Sequence, residues 1–153
     1  IIYRILNKIS TMEYIGFQDY QKYNPTNLHN KLLELVNLKL TVFTGAHKVP
    51  AFQYFKKHDS SRGKGPVKIN RVAHAFSFYA SKITEMTSNL NSEAIYNSLI
   101  NLPGIGPFIA YQICVDVGYF NSNYFNEYPF DFTKFGIGFK SDIDELAMTA
   151  PLH

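Results

Sequence analysis

The segment Leu102-Pro103-Gly104-Ile105-Gly106-Pro107 combines residue types that can bind a phosphate group through the backbone. Glycine at positions 104 and 106 allows backbone dihedral angles that are closed to other residues. Pro107 has a fixed φ angle that suits the first position of a helix. The turn therefore predicts bare N–H groups at a helix N-terminus, where the helix dipole also favours an anion.

Hydrophobic periodicity on both sides of this turn predicts two helices, so that residues 92–119 form a helix-hairpin-helix. Such a motif grips the DNA backbone without reading bases. Ile105 is expected to fill the groove between the two helices. A tight corner between helices that binds nothing is the structural alternative. The residues predicted to contact DNA in this motif are Leu102, Gly104, Ile105 and Gly106.

Charge is divided unevenly along the chain, although the formal net charge is only +3. Residues 1–75 carry 12 Lys and Arg against 4 Asp and Glu, whereas residues 76–153 carry 3 against 8. A basic half beside an acidic half indicates a polyanionic partner for one surface. We interpret the densest basic stretch as a strip that binds DNA phosphates, and a solvated face is the alternative. This basic strip consists of Lys48, Lys56, Lys57, Arg62, Lys64, Lys68 and Arg71.

The composition excludes several classes of protein. A content of 46% hydrophobic residues is too high for a disordered chain. The single cysteine, Cys114, excludes a disulfide framework and a cluster of thiolate zinc ligands. His47, His58 and His74 lack metal-ligand spacing, so no metal and no other cofactor is expected. No apolar run approaches the roughly 18 residues of a membrane span.

The elements that must position these residues are predicted to be helices, which gives an all-α fold with one domain over residues 1–153. The chain starts at Ile1 rather than Met, and we expect it to be a fragment of a longer polypeptide. Residues 60–66 and those from Phe120 onward are predicted to be loops. The other predicted helices are Ile1–Ile9, a short helix that starts with a capping box at Ser10 and ends near Gly16, a helix after Asn24-Pro25, Ala51–Lys57 and Val67–Ile83.

Four segments, taken in order, carry a resemblance to a known family. They are Tyr3–Tyr14, Val42–His47, Leu102–Tyr119 and Phe125–Gly138. This set resembles the glycosylase-fold family that hypermodifies thymine in DNA. Its members include the α-glutamyl/putrescinyl thymine pyrophosphorylases and the helical domain linked to 5-hydroxymethyluracil DNA kinases. The resemblance implies a helix-hairpin-helix, DNA-glycosylase-like helical domain over most of the chain.

The resemblance also implies a reaction. A kinase would activate 5-hydroxymethyluracil in DNA as a pyrophosphorylated ester, and this domain would displace pyrophosphate with an amine after the base had left the stack. Arg4 would complement the phosphoryl charge, because its fork of donors suits a pyrophosphate leaving group. Asn7 would contact a base edge or a phosphate, and Asp131 would orient or deprotonate the amine. Gln112 and Asp116 are four residues apart, so they share a helix face and would line the same pocket.

Each of these candidate catalytic residues has a structural alternative. Arg4 and Asp116 can each form an ion pair. Asn7 can be a surface residue, and Gln112 can satisfy a buried backbone group. Asp131 can cap a short C-terminal helix.

Two other functions stay open. A base-excision DNA glycosylase shares the hairpin motif, but its lyase members carry a catalytic lysine where this chain has Phe108, so lyase activity is not expected. A non-catalytic DNA-binding module of a larger complex is the other possibility. The segment Gly63-Lys64-Gly65-Pro66 lacks the upstream glycine and the following Ser or Thr of a P-loop, so a kinase would be a partner domain or subunit.

The expected partner is double-stranded DNA with a flipped modified base. No interaction with a membrane is expected. A cluster of aromatic residues between Tyr119 and Phe139 would give this base a stacking wall. The expected location is intracellular, and the sequence does not distinguish the cytoplasm of a phage-infected bacterium from a nucleus.

Overall fold

The computed structural model describes residues 1–45, 52–59, 66–88 and 92–120, and these residues form helices and no strands. The predicted all-α class is confirmed. Predictions for residues 46–51, 60–65, 89–91 and 121–153 lie outside the described residues. In chain order the helices are α1 (Ile2–Leu6), α2 (Ile9–Ile15), α3 (Pro25–Asn37), a 3-10 helix (Gln53–His58), α4 (Val67–Thr87), α5 (Ser92–Ile100) and α6 (Pro107–Phe120).

Helix α4, with 21 residues, is the centre of the described fold. It packs against α3, the 3-10 helix and α5. Its apolar stripe is buried as the helical spacing predicts, through Val72, Ala75, Phe76 and Tyr79. Val67, which the same spacing places on this stripe, is exposed at the first position of the helix.

Helix α3 begins where the Asn24-Pro25 pair predicts it. The side-chain oxygen of Asn24 accepts a hydrogen bond from the N–H of Thr26 at 2.8 Å, and Pro25 is the first helical residue. A cap of this kind typically contributes about 1 kcal/mol. The buried face of α3 packs against α2 and α4. This face includes Leu28, Leu32 and Leu35.

Helix α1 is shorter than the predicted helix Ile1–Ile9. It ends at Leu6, because Asn7 has a left-handed backbone conformation with a φ of 46°. Asparagine tolerates this conformation better than most residues, since its short side chain can form local hydrogen bonds. The apolar spacing continues past the break and therefore conceals it.

The predicted capping box at Ser10 is wrong. Helix α2 starts one residue earlier, at Ile9, after the extended residue Lys8, and no side chain caps it. Ser10 therefore lies inside the first turn. The predicted end at Gly16 is confirmed, and this glycine has a φ of 71°.

Helices α5 and α6 pack against each other, and α6 also packs against α1. Ile95 and Leu99 of α5 are buried as predicted, whereas Ile100 at its end is exposed. The packing places the start of the chain beside the last described helix.

Candidate nucleic-acid interface

The hairpin turn, residues 101–106, is stabilised by its own backbone. The N–H of Leu102 donates to the carbonyl of Leu99 at 2.9 Å, and the N–H of Ile105 donates to the carbonyl of Leu102 at 3.0 Å. The side chains of Leu102 and Ile105 are buried in the core, as expected for Ile105. These two residues could therefore approach a phosphate only through backbone atoms, and the N–H groups of both already donate within the hairpin, so neither offers the free amide that the sequence predicts.

The two glycines of the turn have different roles. Gly104 has a φ of +85°, and a Cβ atom there would lie 2.8 Å from two ring carbons of Phe52, so both conformation and space require glycine. Gly106 has no left-handed φ, and a Cβ atom there would meet nothing within 4 Å. The prediction of a special dihedral angle is thus confirmed at Gly104 and wrong at Gly106. What Gly106 provides is open space beside the helix N-terminus.

Helix α6 starts with N–H groups that have no acceptor in the helix. Its first backbone bond runs from the N–H of Ala110 to the carbonyl of Gly106, at 3.0 Å. The N–H groups of Gly106, Phe108 and Ile109 precede this bond, and Pro107 has no N–H. Gly106 and Phe108 are exposed to solvent. This arrangement suits a phosphate oxygen, because the free amides and the helix dipole both favour an anion.

Two aromatic side chains fix the turn to the rest of the fold. The hydroxyl of Tyr79, on α4, donates to the carbonyl of Pro103. Burial raises the pKa of Tyr79, so this phenol stays protonated and remains a donor. Phe52, directly before the 3-10 helix, lies against Gly104. The turn is therefore supported from both α4 and the 3-10 helix.

Part of the basic strip is neutralised within the chain. Lys56 and Lys57 lie on the 3-10 helix, while Lys68 and Arg71 lie on α4. Arg71 donates from Nε to Oδ1 of Asp59 at 2.8 Å and from Nη2 to Oδ2 at 2.6 Å. The guanidinium holds the pKa of Asp59 below its usual value. Arg71 therefore brings little net charge to a phosphate.

The described lysines of the strip lie at or near the surface, where Lys57 is exposed and Lys68 is half-buried. The Nζ atom of Lys57 lies 5.5 Å from the ring centroid of Tyr54, and that of Lys68 lies 4.9 Å from the ring centroid of Phe43. Partial burial lowers the pKa of Lys68. Lys56 is exposed. The strip residues outside the described residues are Lys48, Arg62 and Lys64.

Two candidate catalytic residues, Arg4 on α1 and Asp116 on α6, form an ion pair with each other. The Nε of Arg4 donates to Oδ2 of Asp116 at 2.6 Å, and Nη2 donates to Oδ1. The side chains are 22% and 31% exposed. The hydrogen bond to Asp116 raises the pKa of Arg4. The structure thus shows the ion-pair alternative for both residues, and the pair ties α1 to α6.

The other candidate catalytic residues are Asn7, Gln112 and Asp131. Asn7 terminates α1, and its N–H donates to the carbonyl of Tyr3 at 2.5 Å. Gln112 lies one turn before Asp116 on α6, and its Oε1 is buried without a hydrogen-bond partner in the described part of the chain. Gln112 therefore does not use its Oε1 atom to satisfy a buried backbone N–H group. Asp131 lies outside the described residues.

The stacking wall predicted between Tyr119 and Phe139 falls outside the residues whose side chains the structure describes. The described residues form a separate aromatic groove. The aromatic groove has a volume of about 430 Å³ and lies between the start of the chain, the loop after α2 and one side of α4. The signal for it is the density of aromatic residues in the first 23 positions. Its aromatic lining consists of Tyr3, Phe17, Tyr20, Tyr23, Phe76 and Tyr79.

Within the described residues, no group of three or more His, Cys, Asp or Glu side chains is placed to hold a metal ion. His58 and His74 stack face to face, with ring centroids 3.9 Å apart. Cys114 is buried, which raises its pKa to about 12 and leaves it as an unreactive thiol. None of the described helices has the length and apolar character needed to cross a membrane.

Comparison with known proteins identifies a family. Residues 1–150 match the model of a family described as "5-hmdU DNA kinase, helical domain". No curated protein and no solved structure matches the chain. The match includes the hairpin, the basic strip and the aromatic groove.

Proposed function

The chain belongs to the family of helical domains of 5-hmdU DNA kinases, and from this premise we propose that it binds DNA and holds it for a kinase that phosphorylates 5-hydroxymethyluracil. In this proposal the helical domain contributes the grip on the DNA backbone. The kinase, as a partner domain or subunit, contributes the phosphoryl transfer.

The observation that carries this proposal is the exposed N-terminus of α6. Amides at Gly106, Phe108 and Ile109 have no acceptor in the helix. The open space at Gly106 allows a phosphate to approach them closely. Hydrogen bonds to a charged group typically contribute about 1.5–3 kcal/mol, so this contact would be a substantial part of DNA affinity.

The 3-10 helix adds a second contact to the DNA backbone in this proposal. Phe52, at its start, touches the hairpin turn at Gly104. A 3-10 helix rises about 2 Å per residue, so Lys56 and Lys57 follow within about 8–10 Å of Phe52 along the axis. Phosphates near the one held by the hairpin would therefore meet these lysines.

The proposal stops at DNA binding. Displacement of pyrophosphate by an amine would require Arg4 to receive the leaving group, but two of its guanidinium nitrogens donate to Asp116. Asp131, which would act on the amine, lies outside the described residues. A binding role requires neither residue.

The test is Gly106→Asp, measured by titration of the full-length protein against a duplex that contains 5-hydroxymethyluracil. Asp is a favourable N-cap, so α6 is expected to remain folded. Its carboxylate would occupy the amides and repel the phosphate, so affinity should fall about tenfold or more. Gly106→Asn, which caps without charge, should lose less. Unchanged duplex binding by folded Gly106→Asp would contradict the hairpin contact.

Salt dependence gives a second measurement on the same samples. Each phosphate neutralised by a lysine adds about −0.9 to the slope of log K against log salt concentration. Lys56→Ala and Lys57→Ala should each make the slope shallower by about one. Lys82→Ala is the matched control, because Lys82 pairs with Glu85 on α4, outside the strip. A slope that none of these changes alters would contradict the second contact.

A further inference from the structure

The aromatic groove has the size and rigidity of a ligand site. Its volume of about 430 Å³ falls within the range of roughly 300–1,000 Å³ for small-ligand pockets. Two of its rings are held by their hydroxyl groups. Tyr23 donates to the carbonyl of Ala73 at 2.8 Å, and Tyr79 donates to the carbonyl of Pro103. The half-buried ring of Tyr23, fixed in this way, can stack against a ligand with little further loss of side-chain freedom, whereas Tyr79 is 2% exposed and serves as a rigid part of the wall.

Phe17 is the most exposed part of this groove. It follows Gly16 at the end of α2, and its exposure is 94%. Phe17 lines the aromatic groove and also a neighbouring polar pocket of about 340 Å³, and it forms the border between the two together with Gln18 and Tyr23. Together with the exposed rings of Tyr3 and Tyr20 in the same groove, Phe17 forms a contiguous exposed apolar patch, which is typical of an interaction site.

The polar pocket has the opposite chemistry from the groove. Its lining includes Lys22 and Lys31, both exposed, and Lys31 also donates to the carbonyl of Ile15 at 2.8 Å. The acidic residue in the lining is Asp19, whose carboxylate accepts the N–H of Gln21 at 2.9 Å. The two lysines therefore leave the pocket with an excess of positive charge. A ligand that fills both pockets needs a planar apolar part joined to an anionic part.

We propose that the aromatic groove and the polar pocket together bind one unpaired nucleotide of DNA. The base stacks in the aromatic groove, and its phosphate lies beside Lys22 and Lys31. Stacking on aromatic side chains and a cationic track for the backbone are the two elements of single-strand binding. This inference rests on the proposed function, because it takes DNA as the ligand of the domain.

Tyr79 connects this site with the hairpin. Its ring lines the aromatic groove while its hydroxyl holds the hairpin turn. Chemistry on a base in duplex DNA requires the base to leave the stack, which costs a few kcal/mol. A domain that grips the backbone at the hairpin and stacks an unpaired base one side chain away would offset part of this cost.

The absence of tryptophan from the chain allows a direct test. Phe17→Trp keeps an aromatic ring and places the single tryptophan of the chain, which can be excited selectively over tyrosine, at the border of the two pockets. Titration with a short oligothymidylate should change its emission. Leu38→Trp is the matched control, because Leu38 is 64% exposed and lines neither pocket. Its emission should stay constant.

The contribution of the base is isolated with an abasic oligonucleotide of the same length and charge. The wild-type protein should bind the oligothymidylate at least about fivefold more tightly than the abasic strand. Phe17→Ala should remove most of this ratio, and Leu38→Ala should preserve it. Equal affinity for the two strands, or a ratio that Phe17→Ala leaves unchanged, overturns the proposal. If Phe17→Ala instead converts a dimer into a monomer in sedimentation with the ratio intact, the groove is an interface between copies and the proposal is wrong.

Failure of this inference can be told apart from failure of the proposed function. Duplex binding that Gly106→Asp weakens reports on the hairpin, because this variant alters no residue of the groove. The ratio between the two single strands reports on the groove, since both strands carry the same phosphates. Loss of one signal with the other intact identifies which proposal has failed.

Discussion

Tyr79 links the hairpin turn and the aromatic groove, because its hydroxyl bonds to the turn and its ring lines the groove. The two regions are nevertheless assembled in different ways. The turn is six consecutive residues, 101–106, and leads directly into the N-terminus of α6, where the amides of Gly106, Phe108 and Ile109 have no acceptor in the helix. The groove joins residues 1–3, 12–23 and 76–83, and offers a ligand aromatic rings. A site made of consecutive residues can be recognised in the sequence, because the spacing of its residues along the chain determines their arrangement in space. A site made of distant segments becomes visible only when the packing brings them together.

The largest effect is expected from Gly104→Ala, which disturbs the turn where it rests on the fold. A side chain with a φ of +85° costs roughly 1–2 kcal/mol. The new Cβ would also lie 2.8 Å from the ring of Phe52, and overpacking of this kind costs about 1–3 kcal/mol. We therefore expect a loss of about 2–5 kcal/mol in the free energy of unfolding, measured by urea denaturation.

Gly106→Ala is the control for this prediction. Its Cβ meets nothing within 4 Å and its φ is not left-handed, so stability should change by less than about 1 kcal/mol. Equal losses for the two variants would mean that the turn is not supported by Phe52. In that case the division of roles between the two glycines would be incorrect.

The sequence predicts what depends on neighbouring residues and misses what depends on distant ones. The Asn24-Pro25 start of α3 and the two helices that flank the turn at residues 101–106 follow from local chemistry, and the structure contains both. The end of α1 is missed, because the left-handed Asn7 interrupts a helix whose apolar spacing continues. The pairing of Arg4 with Asp116, 112 positions apart, cannot be read from spacing at all.

The Arg4–Asp116 ion pair is the second link between the two regions, and breaking it should have an intermediate effect. Arg4 lies beside Tyr3 of the groove, with its guanidinium carbon 5.4 Å from the ring centroid, while Asp116 belongs to the hairpin helix. Removal of either partner leaves a partly buried charge alone. Arg4→Ala and Asp116→Ala should each cost about 1–3 kcal/mol, between the values for exposed and buried pairs.

A double-mutant cycle measures the coupling between these two residues. The double variant should be about 1–2 kcal/mol more stable than the sum of the single losses predicts. The exposed pair Lys82–Glu85, with an Nζ–Oε2 distance of 3.4 Å, serves as the comparison and should show a coupling of about 0.5 kcal/mol or less. Additive losses at Arg4 and Asp116 would show that α1 and α6 are held together by other contacts.

The smallest effect is expected from Tyr79→Phe, which removes the bond to the turn and keeps the ring in the groove. Loss of the hydrogen bond to Pro103 should cost about 1–2 kcal/mol at neutral pH. Duplex binding should weaken through the hairpin, while the preference for oligothymidylate over the abasic strand should persist. Tyr23→Phe loses a similar bond, to Ala73, on the far side of the groove and should leave duplex binding unchanged.

Alkaline pH separates the hydroxyl of Tyr79 from its ring. Burial raises the pKa of Tyr79 above its ordinary value of 10.0, so from about pH 10 upward the phenol ionises in the unfolded chain before it does so in the folded one. Ionisation then favours the unfolded state. The contribution of the Tyr79 hydroxyl to the free energy of unfolding therefore falls by about 1.4 kcal/mol per pH unit. Tyr79→Phe has no ionisable hydroxyl at this position and lacks this pH dependence. The difference in the free energy of unfolding between the wild-type protein and Tyr79→Phe should therefore shrink from pH 9 to pH 11 and nearly vanish at pH 11. A constant difference across this range would mean that the hydroxyl is exposed to solvent, and that the hairpin turn is not fixed to α4 through this residue.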